Sequence, residues 1–184
     1  MGKGLLILVL ALQSALFYHA VPPMVYKTDN GTISFRSDAP LELIKASSNK
    51  LAGIFDTDTK KFAFRIKVSS FEGFNNALQK EHFNENYMES DKFPYATFSG
   101  KIIEDIEYDK PGTYSIRAKG NLNVHGVEQE RIIKVDLVVK DKNISVKSVF
   151  TVMLSDHNIT IPKVVHEKLA SEIKVDVKAE FTQQ

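Results

Sequence analysis

Histidines and carboxylates are the groups through which this chain could do acid–base or metal chemistry, and they do not cluster in sequence. His82 lies near Glu81 and Glu85, His157 follows Asp156, and His166 precedes Glu167. None of them makes the His-x-x-x-His or His-Glu-x-x-His spacing that sets two ligands on one helical face. No Gly-x-Ser-x-Gly elbow and no glycine-rich phosphate loop occurs either, so a metal site or triad would have to be assembled by the fold alone. His125 stands directly before Gly126 between two apolar runs, which suits a tight turn, and His19 falls in an apolar leader. The chain has no cysteine, which excludes disulfides, thiol catalysis, cysteine-ligated metal and acylation of an N-terminal Cys. The reading is a protein with no catalytic residue, no metal and no cofactor.

The aromatic side chains say more. Twelve Phe and six Tyr accompany no Trp, and Phe35, Phe62, Phe64, Phe98 and Phe150 recur on alternating positions. Such a set offers ring surface rather than hydrogen bonds. Its commoner use is a packed core, and the wall of an apolar cavity is the other.

Strands must position these rings. Phe62, Phe64, Ile66 and Val68 alternate with Ala63, Arg65 and Lys67, and Ile173, Val175, Val177, Ala179 and Phe181 interleave with Lys174, Asp176, Lys178 and Glu180. A period of two with one apolar face describes a half-buried strand. Similar runs at residues 32–36, 51–55, 96–108, 113–124, 131–140 and 143–154 bring the total to about eight. Reversals are expected at Asp29-Asn30-Gly31, Asp56-Thr57-Asp58, Asp109-Lys110-Pro111-Gly112, His125-Gly126 and Asp141-Lys142-Asn143. Two short helices are expected, over residues 74–81 and 162–170. An antiparallel all-β domain follows, and periodicity alone leaves barrel and sandwich open.

With 184 residues the chain suits one domain. Lys3 followed by the apolar run 5–12 and small residues at Ala15 and Ala20 has the outline of a secretory signal, expected over residues 1–20 with the domain proper over 21–184. The run is too short for a membrane span of about 20 residues. The formal charge is +1, and loss of Lys3 with the leader brings it near zero. Lysines alternate with acids instead of clustering, so nucleic acid is not an expected partner. The expected location is periplasmic or secreted.

The stretch from Glu81 to Gly100 is the most distinctive: a polar, aromatic loop (His82, Asn84, Asn86, Tyr87) that runs through Lys92-Phe93-Pro94-Tyr95-Ala96-Thr97-Phe98 into a strand. Leu122-Asn123-Val124-His125-Gly126-Val127, then Phe150-Thr151-Val152-Met153-Leu154-Ser155-Asp156, then a last strand from Glu172 to Phe181 follow in order. Over roughly the C-terminal two thirds of the chain this pattern resembles the YceI-like family, the bacterial polyisoprenoid-binding, lipocalin-like proteins. Ser37-Asp38-Ala39-Pro40-Leu41-Glu42-Leu43-Ile44 departs from the Lys-His-rich strand usual there.

The resemblance implies an eight-stranded antiparallel lipocalin-like barrel with one or two short helices, enclosing the apolar tail of a long-chain isoprenoid or other lipid. It implies walls at Phe64, Ile66, Phe98, Ile116, Leu137, Phe150 and Val152. The segment 71–93 would form a gate, with Phe71, Phe74 and Leu78 beneath it and His82, Asn84, Asn86 and Tyr87 at the mouth. Lys80 and Lys92 are the nearest partners for a pyrophosphate head, but acids flank both, so a quinone or fatty acyl amide head fits equally. Non-covalent sequestration or transport is expected, by a monomer or homodimer in transient contact with membrane or envelope proteins. The alternatives are an enzyme acting on a lipid or small hydrophobic substrate in the same cavity, whose turnover would vanish with His82 or His157, and an envelope protein–protein interaction module around a filled barrel.

Overall fold

The computed structural model describes residues 24–184; the expected signal at 1–20 lies outside them. Eight antiparallel strands follow one another as neighbours: β1 Val25–Asp38, β2 Leu43–Asp56, β3 Lys61–Lys67, β4 Tyr95–Ile102, β5 Gly112–Val124, β6 Val127–Lys140, β7 Asn143–Met153 and β8 Glu172–Gln183. β8 pairs with β1, from Tyr26↔Gln183 to Arg36↔Lys174, and closes the barrel. Closure removes both sheet edges, which decides for the barrel over the sandwich.

Turn chemistry sets the register where the loops are tightest. His125 and Gly126 (φ 53° and 72°) join β5 to β6, and Asp141 and Lys142 (φ 49° and 64°) join β6 to β7. Two central residues with positive φ make the hairpin turn whose twist matches that of the strands. Between β2 and β3, the Asp56 carboxylate accepts from the Asp58 and Thr59 amides at 3.0 Å each, and these bonds hold its carboxyl below the usual range.

Three expected elements differ. Asp29-Asn30-Gly31 is an irregularity inside β1, where the register to β2 shifts on both sides of Gly31; a bulge uses the same residue types as a turn. The run 96–108 stops being strand at Ile102, because residues 103–111 fold back across the barrel base. There the Glu104 carboxylate accepts from the Arg117 amide and Nε at 2.7 Å each, and those bonds keep it ionised below the ordinary range. The helix expected at 162–170 is only a tight turn, Lys163–Val165.

The remaining helix, α1 Ala77–His82, is capped by Asn76, whose side chain accepts from the Gln79 amide at 2.8 Å. A single wide turn, Phe83–Tyr87, extends it. Together they belong to the long β3–β4 connection, which covers one end of the barrel.

Candidate functional site

The interior is not uniform along its axis. At the base, Tyr26, Phe55, Phe62, Tyr108, Val139, Ile144 and Phe181 are buried in one packed cluster. Tyr108 sits edge-on to Phe55 with ring centroids 5.0 Å apart and stoppers that end. Burial above all, with Asp105 and Glu104 adding to it, pushes the Tyr108 hydroxyl up to about 12.

Above the stopper lies a narrow inner chamber of about 120 Å³. Of the expected wall residues, Phe64, Ile66, Phe98, Ile116, Leu137 and Phe150 border it. Phe55, Phe62, Leu122 and Phe181 do so as well. Their alternation was readable, but which inward positions meet a void and which meet one another was not.

A wider outer chamber of about 440 Å³ follows, sharing Ile33, Ile66 and Ala96 with the inner one. Val152, Phe71, Phe74, Leu78, His82 and Tyr87 border this space. Asn84 and Asn86 border neither chamber: the Asn84 amide donates to the Lys80 carbonyl at 2.9 Å, and Asn86 is exposed. Sequence reasoning missed Ile44, Phe83, Val165, Lys168 and Leu169 on the outer wall. Phe83 was inside the singled-out stretch, but its inward direction depends on the wide turn that replaces regular helix there.

Four rings form the roof. Phe35 of β1 stacks on Phe83 at 5.2 Å and meets Phe71 at 5.3 Å, and Phe74 lies 5.1 Å from Phe83. Aromatic contacts at these separations add to the burial of each ring.

Polar bonds hold the lid at both ends. Ser47 and Glu72 exchange two backbone bonds of 2.8 Å, and Gln79 Nε2 donates to Glu42 at 2.9 Å. At the other end, His125 Nε2 lies 2.7 Å from the Glu89 carboxylate and its Nδ1 lies 3.0 Å from the His157 carbonyl. His157 is fully buried and bonds the Val127 carbonyl through Nδ1 at 3.0 Å. His125 and His157 thus serve the lid and the loops beneath it. Lys80 is paired with Glu72, and the Lys92 ammonium stands 4.8 Å over the Phe93 ring, so neither faces the mouth unengaged. Among the described residues no group of three His, Cys, Asp or Glu side chains could hold a metal ion.

The family model for the YceI-like domain matches residues 26–181. No curated protein matches the chain. Among solved structures, the barrel is similar to a polyisoprenoid binding domain from Saccharophagus degradans implicated in plant cell wall breakdown, with a TM-score of 0.74 and 12% identity over 88% of this chain and 99% of that one. Burkholderia cenocepacia BcnA gives 0.66 and 15% over 82% and 95%. The Campylobacter jejuni YCEI protein gives 0.54 and 17% over 71% and 77%. At such identities the three likenesses speak for the fold.

Proposed function

The chain belongs to the YceI-like domain family, and from that premise we propose that it holds a long-chain apolar lipid, a polyisoprenoid, quinone or similar molecule, non-covalently inside its barrel. The observation that carries this reading is the pair of abutting apolar chambers above a stoppered base. Each buried five-carbon isoprene unit contributes about 4 kcal/mol at ~0.8 kcal/mol per carbon. Association and ordering costs offset part of that gain.

No carboxylate or histidine among the described residues borders the inner chamber, so the proposal assigns burial rather than turnover to it. Selectivity for the head falls to the outer chamber, where Glu42, His82 and Lys168 are the ionisable neighbours and Ser37, Asn76, Gln79 and Tyr87 the neutral polar ones. The site of action is outside the inner membrane, reached through the leader expected at residues 1–20, and the role is sequestration or transport.

Protein purified from its native envelope should release a lipid that mass spectrometry identifies. Phe64→Asp and Phe98→Asp, which set a charge on the inner wall, should abolish its retention. Phe150→Trp, which fills the inner chamber without adding charge, should reduce it. Unchanged lipid content in folded variants of both kinds would defeat the proposal.

A further inference from the structure

The rim of the barrel mouth is apolar where it should be wet. Val164 is 90% exposed, Leu41 67%, Leu78 57% and Leu43 48%. They come from three separate segments, the β1–β2 loop with the start of β2, α1 and the turn before β8, yet hydrogen bonds join those segments into one collar. Leu41 N donates to the Glu167 carbonyl at 2.8 Å, Asn75 Nδ2 to the Leu43 carbonyl at 3.1 Å and Gln79 Nε2 to Glu42 at 2.9 Å. Isolated exposed leucines need no explanation, but a contiguous apolar patch rimmed by polar groups does.

The collar is continuous with the outer chamber, whose wall includes Ile44, Leu78, Val165 and Leu169 from the same three segments. Its charges nearly balance, with Lys163 and Lys168 beside Glu42 and Glu167. We infer that this collar is a membrane-docking surface: it inserts Leu41, Leu43, Leu78 and Val164 into the interfacial region of a lipid bilayer, mouth down, so that a tail passes between bilayer and barrel without crossing water. The inference rests on the lipid-holding reading for its purpose. Its occupant, a bilayer surface, follows from that continuity, since an insoluble tail resists crossing water in proportion to its apolar area. Shallow apolar insertion by a nearly neutral collar should depend little on anionic lipid or on salt.

The test uses the mature protein and the Leu41→Asp/Val164→Asp variant. Both positions are exposed and border neither chamber, and matched thermal melts check the fold. Wild type should co-sediment with vesicles of phosphatidylcholine alone and with vesicles also containing phosphatidylglycerol, to a similar extent in low and high salt. The variant should lose about tenfold or more in vesicle affinity and in transfer of a fluorescent isoprenoid between vesicles, while still taking that probe from detergent micelles. Equal vesicle binding by both proteins overturns the inference, as does binding that needs phosphatidylglycerol and vanishes in salt. A wild-type dimer that the variant dissolves into monomers, read by size-exclusion chromatography with light scattering, assigns the collar to a second copy and also overturns it. Failure of wild type to take the probe from micelles strikes the lipid-holding reading instead, with vesicle sedimentation still deciding the docking.

Discussion

Tyr108 carries a hydroxyl that burial has removed from water without supplying a partner. Leaving such a group unpaired costs about 1–3 kcal/mol, so Tyr108→Phe should be neutral or stabilising by about 1 kcal/mol at neutral pH. The raised value gives a second readout. The folded chain keeps the phenolic proton where the unfolded chain releases it, so this contribution is intact below the ordinary value of 10.0 and is lost as pH climbs toward about 12. Tyr108→Phe should flatten that alkaline loss in urea titrations. A marked destabilisation at neutral pH would show that the hydroxyl has a partner. His125 poses the opposite case, since both of its ring nitrogens face oxygens. His125→Ala should cost about 1–3 kcal/mol and speed hydrogen exchange in residues 83–93 more than in the strands; uniform exchange would refute its role as the lid's anchor.

Strands β4 and β5 cross where neither can carry a side chain. A Cβ on Gly100 would stand 2.0 Å from the Lys119 carbonyl oxygen, and one on Gly120 would stand 2.2 Å from that of Ser99. The neighbours are backbone and cannot rotate away, so Gly100→Ala should cost more than about 3 kcal/mol or prevent folding. Gly73→Ala, at φ 92° with open space around it, meets no atom and should cost only the backbone strain of about 1–2 kcal/mol. Similar denaturation midpoints for the two variants would contradict the close approach. β6 and β7 show a different device: their registered pairs run only from Asp136↔Lys147 to Lys140↔Asn143. Toward the mouth, side chains bridge the strands, with Arg131 donating to the Thr151 carbonyl at 2.8 Å and Ser148 to that of Lys134 at 2.7 Å. Arg131→Ala should therefore cost about 1 kcal/mol, measurable by urea denaturation.

For the whole molecule, the stopper at the base sets the depth available to a tail. Bordering residues on β7 run from Ile144 to Val152, about 26 Å of strand at ~3.3 Å per residue and about 20 Å along the axis at a tilt near ~40°. An extended chain advances ~1.1–1.2 Å per backbone atom, so one extended tail of about four isoprene units fills that depth. Affinity for isoprenoid alcohols should rise with each unit up to about four and then level. A steady rise well beyond that length, in a fluorescence displacement series, would mean that the base opens.

Strand number, the tight hairpins at His125-Gly126 and Asp141-Lys142, and a large inward-facing aromatic set were legible in the chain because each depends on local backbone preference and a period of two. Barrel closure was legible only through the family resemblance and not through periodicity, since it lies in the pairing of β1 with β8, residues far apart in sequence whose alternation fits a sandwich equally well. Nor was the division of inward rings into stopper, chamber wall and lid roof: Phe55, Phe64 and Phe83 are chemically alike, and only their neighbours across the barrel decide which of them pack and which face open space. Tertiary structure alone also gathered Leu41, Leu78 and Val164 at one rim, because hydrogen bonds between distant loops, and no local pattern, bring them together.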